Sequence, residues 1–524
     1  MNAEPQRGSI AQGDSGTGGT RAAAHRQRQT FAVLDPQRAL TDQLMEQVCD
    51  PKNLVRAYRR VRANKGKPGV DGMTVHELAD WLRQNHVALT ASLLDGTYRP
   101  QPVRGVQIPK PGGGQRQLGI PVAVDRLVQQ AILQVLNPIL DPTFSNSSYG
   151  FRPGRDAHMA LEQARKYVAQ EGRGIVVDLD LEKFFDRVNH DILISRVARR
   201  IGDKRLLRII RRFLQAGMMQ DGVCVARDEG TPQGGPLSPL LANLLLDDLD
   251  QELERRGHYF CRYADDCNIY VRSVAAGHRV MASTVRFLEE KLRLRVNREK
   301  SAVAPVGERK FLGHRLLLNG KLGISTKSIQ RAKEKIRQIA RRNRGVSLAR
   351  VIVELNLFLA GWITYYRYAA CRFELQCLDE WIRRKLRCYR LKQRKRGSSV
   401  SGFLRRLGVS ALQASRLAGS GKGLWRLALT RQLNTAMSVE WFLSRGSFPS
   451  SSNMTRYGDF LLLSGDCLNS LSPSANLSCG SGADAFCATP VPSMTPYAIN
   501  SAAIAVVHTM VVPLRMTYSA RART

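Results

Sequence analysis

The sequence predicts an α/β fold with a small antiparallel sheet, followed by a helical region. Residues 40–445 alternate helical apolar periods, short strand-like runs and loops marked by Gly and Pro. The run "FCRYADDCNIYVRS" (Phe260–Ser273) has the pattern of a β-hairpin, with Tyr, Ile and Val on both sides of a short turn. Farther along, Lys327–Arg344 has a basic helical pattern. Its expected buried stripe is Ile329, Ile336 and Ile339.

The charge balance indicates a polyanionic partner. The 524 residues include 80 Lys and Arg against 44 Asp and Glu, a net charge of +36. Solubility requires a much smaller excess. An excess spread over several hundred residues favours nucleic acid, with a membrane surface as the weaker alternative.

The chain is expected to be cytoplasmic and to have no membrane partner. The longest apolar run, Ser501–Val512, is shorter than the roughly 20 residues that span a bilayer, and it contains His508. The N-terminus lacks the apolar stretch of a signal peptide. The ten cysteines are scattered and contain no CxxC pair, which argues against a zinc ribbon and a disulfide framework.

Two terminal segments differ from the rest in composition. Residues 1–40 are rich in Gly, Ser, Ala, Gln and Arg, and we expect them to be disordered. Residues 447–524 are rich in Ser, Ala and Thr, and we expect a poorly ordered tail without an assigned role. Its Cys and His residues have no spacing suited to a compact metal site, so we expect no metal-dependent nuclease there.

Adjacent carboxylates are the strongest chemical signal. Asp265 and Asp266 occupy the turn of the expected hairpin, although two like charges repel. A second Asp pair, Asp247–Asp248, follows a helical pattern and is interpreted as a solvated face, so an Asp pair alone is a weak signal. Asp180 strengthens the prediction of a carboxylate site, because this third carboxylate follows an apolar strand that begins at Ile175. Three such carboxylates suit two divalent cations about 4 Å apart, which activate a 3′ hydroxyl and stabilise pyrophosphate.

These motifs resemble those of bacterial group II intron-encoded reverse transcriptases and maturases. "YADD" at 263–266 and "DLEKFFD" at 180–186 are similar to the two metal-binding blocks of that family. The resemblance implies that Asp180, Asp265, Asp266 and the carbonyl of Leu181 bind two Mg²⁺ ions, for which Mn²⁺ substitutes. Asp178, two residues earlier on the strand, is the less favoured ligand.

Further blocks follow in the family's order and imply contacts with a deoxynucleoside triphosphate. "IPKPGGGQRQLGIP" resembles the fingers hairpin, in which Lys110 and Arg116 clasp the triphosphate. "GTPQGGPLSPLLANLLL" places Gln233 at the nucleotide pocket. In "LRVNREKS", Lys300 is implied as the general acid toward pyrophosphate, with an ordinary surface charge as the alternative. Phe185 is either a ring that excludes a 2′ hydroxyl or a core residue.

The resemblance extends to about residue 445. "FLAGWITYYRY" (Phe358–Tyr368) resembles the thumb of the maturase domain. Trp362, Tyr365 and Tyr366 there are either a stacking surface for RNA or packing residues.

The resemblance implies a right-hand polymerase followed by an α-helical thumb and maturase domain. The expected divisions are an N-terminal extension of the fingers at 41–89, fingers and palm at 90–318, and the thumb and maturase domain at 325–446. The expected function is RNA-directed DNA polymerisation on intron RNA for mobility, with splicing assistance. The partners are group II intron RNA, a DNA primer or target, and deoxynucleoside triphosphates. A domesticated reverse transcriptase of phage defence or CRISPR adaptation, and a splicing cofactor without mobility, remain alternatives.

Overall fold

The computed structural model describes residues 41–109, 114–220 and 222–446. The expectations for the two terminal segments, for the apolar run at 501–512 and for Lys110 lie outside these residues. Three helices come first: α1 (Leu44–Cys49), α2 (Pro51–Ala63) and α3 (Leu78–Leu94). Helix α2 begins where it does because the Asp50 side chain accepts hydrogen bonds from the amides of Lys52 and Asn53.

A four-stranded antiparallel sheet, here called the central sheet, has the order β6-β7-β3-β8. Its members are β3 (Ile175–Leu179), β6 (Tyr259–Tyr263), β7 (Asp266–Val271) and β8 (Ala302–Pro305). Strands β6 and β7 form the expected hairpin, in which Tyr263 pairs with Asp266 across a two-residue turn. The antiparallel sheet predicted from the sequence is therefore present.

Helices cover both faces of the central sheet. The helices of this part of the chain are α4 (Ala123–Leu140), α5 (Ala157–Ala169), α6 (His190–Ala198), α7 (Lys204–Gln215), α8 (Ser238–Arg255) and α9 (Val274–Lys291). Of these, α5, α8 and α9 contact the strands, and α4, α6 and α7 pack against other helices. Neighbouring residues of a strand point to opposite faces. Accordingly, Val177 joins the large core formed with α4 and α8, while Val176 joins a smaller core with Leu161 of α5. The N-cap of α6 is Asn189, since its side chain accepts from the amide of Ile192.

Two smaller sheets flank the central one. The first has the order β2-β1-β4-β5 and contains β1 (Val103–Pro109), β2 (Gln115–Ile120), β4 (Met218–Gln220) and β5 (Val223–Val225). The second contains β9 (Lys310–Phe311), β10 (His314–Leu316) and β11 (Leu322–Ile324). It leads directly into the helical region.

The helical region has a hydrophobic core of its own, with Ile336, Leu355 and Leu386 among its buried residues. Its helices are α10 (Thr326–Ile339), α11 (Leu348–Tyr365), α12 (Arg372–Gln393), α13 (Gly397–Arg406), α14 (Ala411–Ala418), α15 (Leu424–Leu427), α16 (Arg431–Ala436) and α17 (Val439–Leu443). The basic helix α10 ends five residues earlier than the sequence pattern predicts. Of its expected stripe, Ile336 and Ile339 are buried and Ile329 is half-buried. Trp362 and Tyr366 are both buried in this core, which supports the packing interpretation for these two rings.

One interpretation of the sequence is wrong. Asp247 is not on a solvated face: its side chain is buried, pairs with Arg200 at 2.5 Å and accepts from the amide of Ser145. Its neighbour Asp248 pairs with Arg196 at 2.6 Å. Helix α8 is enclosed on most sides. Asp247 and Asp248 are therefore paired with arginines of α6 and of the loop that follows it, and are not simply solvated.

Among the described residues, α11 is long and apolar enough to cross a membrane by length and composition alone. Its residues Val351, Leu355 and Leu359 are buried in the core of the helical region.

Candidate active site

Three carboxylates predicted from the sequence come from neighbouring strands of the central sheet. Asp180 directly follows β3, while Asp265 lies in the turn between β6 and β7 and Asp266 begins β7. Strands β3 and β7 are paired, with Leu179 opposite Cys267. The end of β3 therefore lies beside the start of β7, and the sheet brings the carboxylates to one edge.

The carboxylates act on one another electrostatically. Desolvation raises the pKa of Asp265, and the charge of Asp180 raises it further. Desolvation by the surrounding protein, followed by the charges of Asp265, Asp178 and Asp180, raises the pKa of Asp266 to about 7. Asp266 keeps an edge exposed to solvent, so ions and protons can reach it. The site thus concentrates negative charge at an accessible edge of the sheet.

Asp180 is held by the loop that precedes β8. Its amide donates to the Ser301 hydroxyl at 3.0 Å, and its carbonyl accepts from the amide of Asn297 at 2.8 Å. Lys300, the residue assigned as a general acid, donates from Nζ to the Asp180 carboxylate at 3.2 Å. The structure therefore brings Lys300 to the carboxylates, although it is far away in the sequence.

Asp178 has a different environment from Asp180. Its carboxylate pairs with the Arg309 guanidinium at 2.6 Å. Desolvation raises the pKa of Asp178, while Arg309 acts in the opposite direction. This ion pair is in keeping with the lower rank of Asp178 as a metal ligand.

The carboxylate oxygens of Asp180, Asp265 and Asp266 fit a hard divalent cation in charge and chemistry. Their mutual repulsion would be relieved by such a cation. Within the described ranges, however, no three His, Cys, Asp or Glu side chains are already gathered as a metal-binding group. Asp180 is instead engaged by Lys300. The donor set fits, and the side chains would have to converge further around an ion.

Arg116 of β2 extends this site toward the first flanking sheet. Desolvation raises the pKa of Asp265, and the charge of Arg116 acts in the opposite direction, so the guanidinium lies within electrostatic reach of the hairpin. The side chain is exposed. It therefore has the freedom to contact an anion held at the carboxylates.

Phe185 and Gln233 are connected through the backbone of residues 230–235, a loop with the sequence GTPQGG. The amide of Thr231 donates to the Phe185 carbonyl at 2.6 Å, and the amide of Gly119 in β2 donates to the Gln233 carbonyl at 2.9 Å. Gly230 has a positive φ of 89°, and a Cβ there would lie 2.9 Å from the Phe185 carbonyl oxygen. Phe185 is half-buried at the margin of the large core, so it has an exposed part and a packed part.

A buried arginine that was not predicted from the sequence supports the hairpin. Arg262 of β6 is fully buried and pairs with Asp250 of α8 at 2.5 Å. Its guanidinium also donates to the carbonyl of Ala264, to Asn243 Oδ1 and to Ser148 Oγ, at 2.8–3.0 Å. The turn that carries Asp265 is thereby fixed to α8. A charged residue inside an otherwise apolar strand was the available signal.

Two family models match the chain. The model described as reverse transcriptase (RNA-dependent DNA polymerase) matches residues 108–316, and the model for the group II intron maturase-specific domain matches residues 329–408. The first includes all three carboxylates and the second includes most of the helical region.

Curated relatives support the same assignment. Protein YkfC of Escherichia coli (strain K12) is 35% identical over 328 residues, which are 55% of this chain and 86% of YkfC. Group II intron-encoded protein LtrA of Lactococcus lactis subsp. cremoris is 38% identical over 197 residues. That match spans 37% of this chain and only 32% of LtrA.

A solved structure titled "Partial Cas6-RT-Cas1--Cas2 complex" is 25% identical and covers 47% of this chain and 43% of that chain, with a TM-score of 0.32. The sequence matches are far more specific than this superposition. With a reverse transcriptase domain and a maturase-specific domain in this order, the chain belongs to the group II intron-encoded reverse transcriptase and maturase family.

Proposed function

We propose that the protein copies group II intron RNA into DNA from a DNA primer and binds the same RNA to assist its splicing. The single observation that carries this proposal is the meeting of Asp180, Asp265 and Asp266 at one edge of the central sheet, where their charges act on one another. We further propose the divisions at 90–318 for fingers and palm and at 325–446 for the thumb and maturase domain. The cytoplasm is the proposed location, in keeping with the free thiols of the described cysteines.

Asp180, Asp265, Asp266 and the Leu181 carbonyl are the proposed ligands of two Mg²⁺ ions. When bound, the ions activate the primer's 3′ hydroxyl and stabilise the charge of the departing pyrophosphate. Burial and the neighbouring carboxylates raise the pKa of Asp266, and a cation bound beside it would act in the opposite direction. Lys300 moves from Asp180 to the pyrophosphate and supplies its proton.

The remaining residues select and hold the deoxynucleoside triphosphate. Arg116, together with Lys110, neutralises the triphosphate. Gln233 lies at the nucleotide pocket, and the Phe185 ring excludes a 2′ hydroxyl by occupying the space beneath the sugar. The contacts of Thr231 with Phe185 and of Gly119 with Gln233 support this grouping, because they join Phe185 to the loop that contains Gln233 and join that loop to β2.

Primer extension on an RNA template tests the proposal. Asp265→Ala should reduce Mg²⁺-dependent extension by about a hundredfold or more, because the charge stabilisation supplied by a bound metal is worth several kcal/mol. Filter binding of RNA should remain near the parental level. Asp191→Ala is the matched control, since that carboxylate is exposed and pairs with Arg211 of α7 instead of joining the three site carboxylates. Parental extension by Asp265→Ala would refute the catalytic assignment.

A further inference from the structure

The helical region contains a concave basic site that is separate from the carboxylates. Its cavity of about 500 Å³ is called the tryptophan pocket here. The pocket is lined by Trp381, Trp425, Arg337, Arg341, Arg342 and Lys385. A volume of this size lies within the range of small-ligand sites.

Both tryptophans are held in place by cations. The Arg384 guanidinium stacks 3.7 Å from the Trp425 ring centroid and donates to the Trp425 carbonyl at 2.8 and 3.0 Å. The Lys385 ammonium lies 5.0 Å from the centroid of Trp381 and 5.6 Å from that of Trp425. The two rings therefore border the same small volume and expose aromatic surface to it, with Trp425 37% exposed.

The cations of the pocket lack the carboxylate partners that their neighbours have. Arg344 pairs with Glu354 at 2.8 Å, and Arg383 pairs with Asp379. Within the part of the chain that the structure describes, no carboxylate pairs with Arg337, Arg341, Arg342 or Lys385. Burial, followed by the charges of Arg337 and Arg342, lowers the pKa of Lys385. An anion in the pocket would relieve this repulsion.

We propose that the tryptophan pocket binds one unpaired nucleotide of an RNA strand. Its base stacks on the indole rings of Trp381 and Trp425, and its phosphates contact Arg337, Arg342 and Lys385. Aromatic rings with adjacent cations bind splayed-out bases, whereas a paired base inside a helix presents no free face. The choice of RNA rests on the proposed function, because the pocket lies in the segment that matches the maturase-specific domain and its direct continuation.

The test uses the full-length chain and an RNA hexamer with 2-aminopurine at an internal position, whose fluorescence reports base stacking. Trp425→Ala should weaken binding about 5- to 100-fold, the range that corresponds to one lost base stack. The salt dependence of binding should stay parental. Trp425→Phe should restore most of the affinity, and it keeps the test valid if Trp425→Ala folds poorly.

The phosphate contacts are tested separately from the stack. The double variant Lys385→Gln, Arg342→Gln should lower the slope of log affinity against log salt by roughly 1.4, or about 0.7 for each released counterion. Phe373→Ala and Arg416→Gln are matched controls, because both residues are exposed in the same helical region and lie outside the pocket.

Four outcomes would overturn the proposal. Two concern the variants: the pocket variants lower the affinity no more than the control variants do, or they lower it equally for the hexamer and for a fully paired RNA hairpin. Two concern the ligand: a DNA hexamer binds as tightly as the RNA hexamer, or polyglutamate at equal charge displaces the RNA. Primer extension by the parental protein is measured in parallel. If the parent fails to extend, the proposed function fails irrespective of the pocket, so the two failures are distinguishable.

Discussion

At the scale of single residues, Arg262 shows how a buried charge positions chemistry. Its guanidinium bonds two oxygens of Asp250 and also holds the Ala264 carbonyl of the hairpin turn. Burying an ion pair is costly, and a well-packed apolar pair is often as stable. We therefore interpret the Arg262–Asp250 pair as a device that fixes the geometry of the turn.

Arg262→Met should destabilise the protein by about 3–5 kcal/mol, because it leaves Asp250 buried without a partner. Urea unfolding measures this change. Adding Asp250→Leu should restore much of the stability, while extension should stay impaired because the turn has lost its support. Arg83→Ala, which removes an exposed ion pair with Asp80, should change stability by less than about 1 kcal/mol. Recovered extension in the double variant would contradict a positioning role.

Phe185→Ala should relax the discrimination between deoxyribonucleotides and ribonucleotides, since it removes the ring proposed to fill the space of a 2′ hydroxyl. The ratio of kcat/KM for the two nucleotides, in single-nucleotide extension, measures the effect. Ile192→Ala trims another half-buried side chain packed against the same core and serves as a control for packing loss. If selectivity is parental in a folded Phe185→Ala protein, the residue is only part of the core.

At the scale of elements, the hairpin turn depends on a close approach by another segment. Ala264 has a left-handed φ of 59°. Gly150 packs directly against the turn: a Cβ at this position would lie 2.3 Å from the Ala264 nitrogen. The Gly150 carbonyl also accepts from Asn243, which in turn accepts from Arg262. Only glycine fits at position 150, because any side chain there would clash with the turn. The segment that contains Gly150 therefore determines where the turn lies.

Gly150→Ala should reduce primer extension roughly 10- to 100-fold, because displacing reacting groups by about 1 Å can cost two orders of magnitude. Thermal unfolding should show a loss of stability of about 1–3 kcal/mol, as expected for overpacking. Gly421→Ala is the control, since a Cβ there meets nothing within 4 Å. Unaltered extension by Gly150→Ala would mean that the turn tolerates displacement.

At the scale of the whole molecule, the central sheet and the helical region are joined by histidines and tyrosines, of which His314 and Tyr366 are buried and His158 and Tyr365 are half-buried. His158 of α5 contacts the Tyr365 carbonyl at 2.8 Å through Nε2, and the Tyr365 hydroxyl donates to the Leu312 carbonyl. The His314 ring lies 4.7 Å from that of Tyr366. Burial, with a smaller contribution from His158, lowers the pKa of His314 to about 4.

This junction should lose stability in acid. An unfolded histidine has a pKa of about 6.5, so the neutral, buried His314 stabilises the fold fully above that pH. The contribution is lost progressively as the pH falls from about 6.5 to about 4. Urea unfolding at pH 7.5 and pH 5 measures the free energy of unfolding at each pH. Its decrease from pH 7.5 to pH 5 should be about 2 kcal/mol larger in the parent than in His314→Asn. His278→Asn, at an exposed position, should behave like the parent. An equal acid loss in parent and His314→Asn would exclude His314 as the cause.

Much of the site was predictable because its motifs are local. The hairpin strands follow from β-branched and aromatic residues on both sides of a short turn, and the strand before Asp180 follows from an apolar run. Asp247 was misjudged because a helical pattern does not tell how many sides of the helix are covered. Trp362 and Tyr366 stayed ambiguous for the same reason, since an aromatic next to arginines suits both a core and a surface.

By itself, the sequence determined the mixed α/β class, the strands that carry Asp180, Asp265 and Asp266, and the membership of the reverse transcriptase and maturase family. Only the tertiary structure decided that Lys300 reaches Asp180, that Arg309 occupies Asp178, and that Arg262 and Gly150 fix the turn. It also decided that Trp381 and Trp425 border one pocket. The physical reason is range, because strand patterns and turns depend on neighbours within a few residues. Ion pairs and close backbone approaches depend on segments that meet only when the chain is packed: Lys300 and Asp180 are 120 residues apart, and Arg309 and Asp178 are 131 apart.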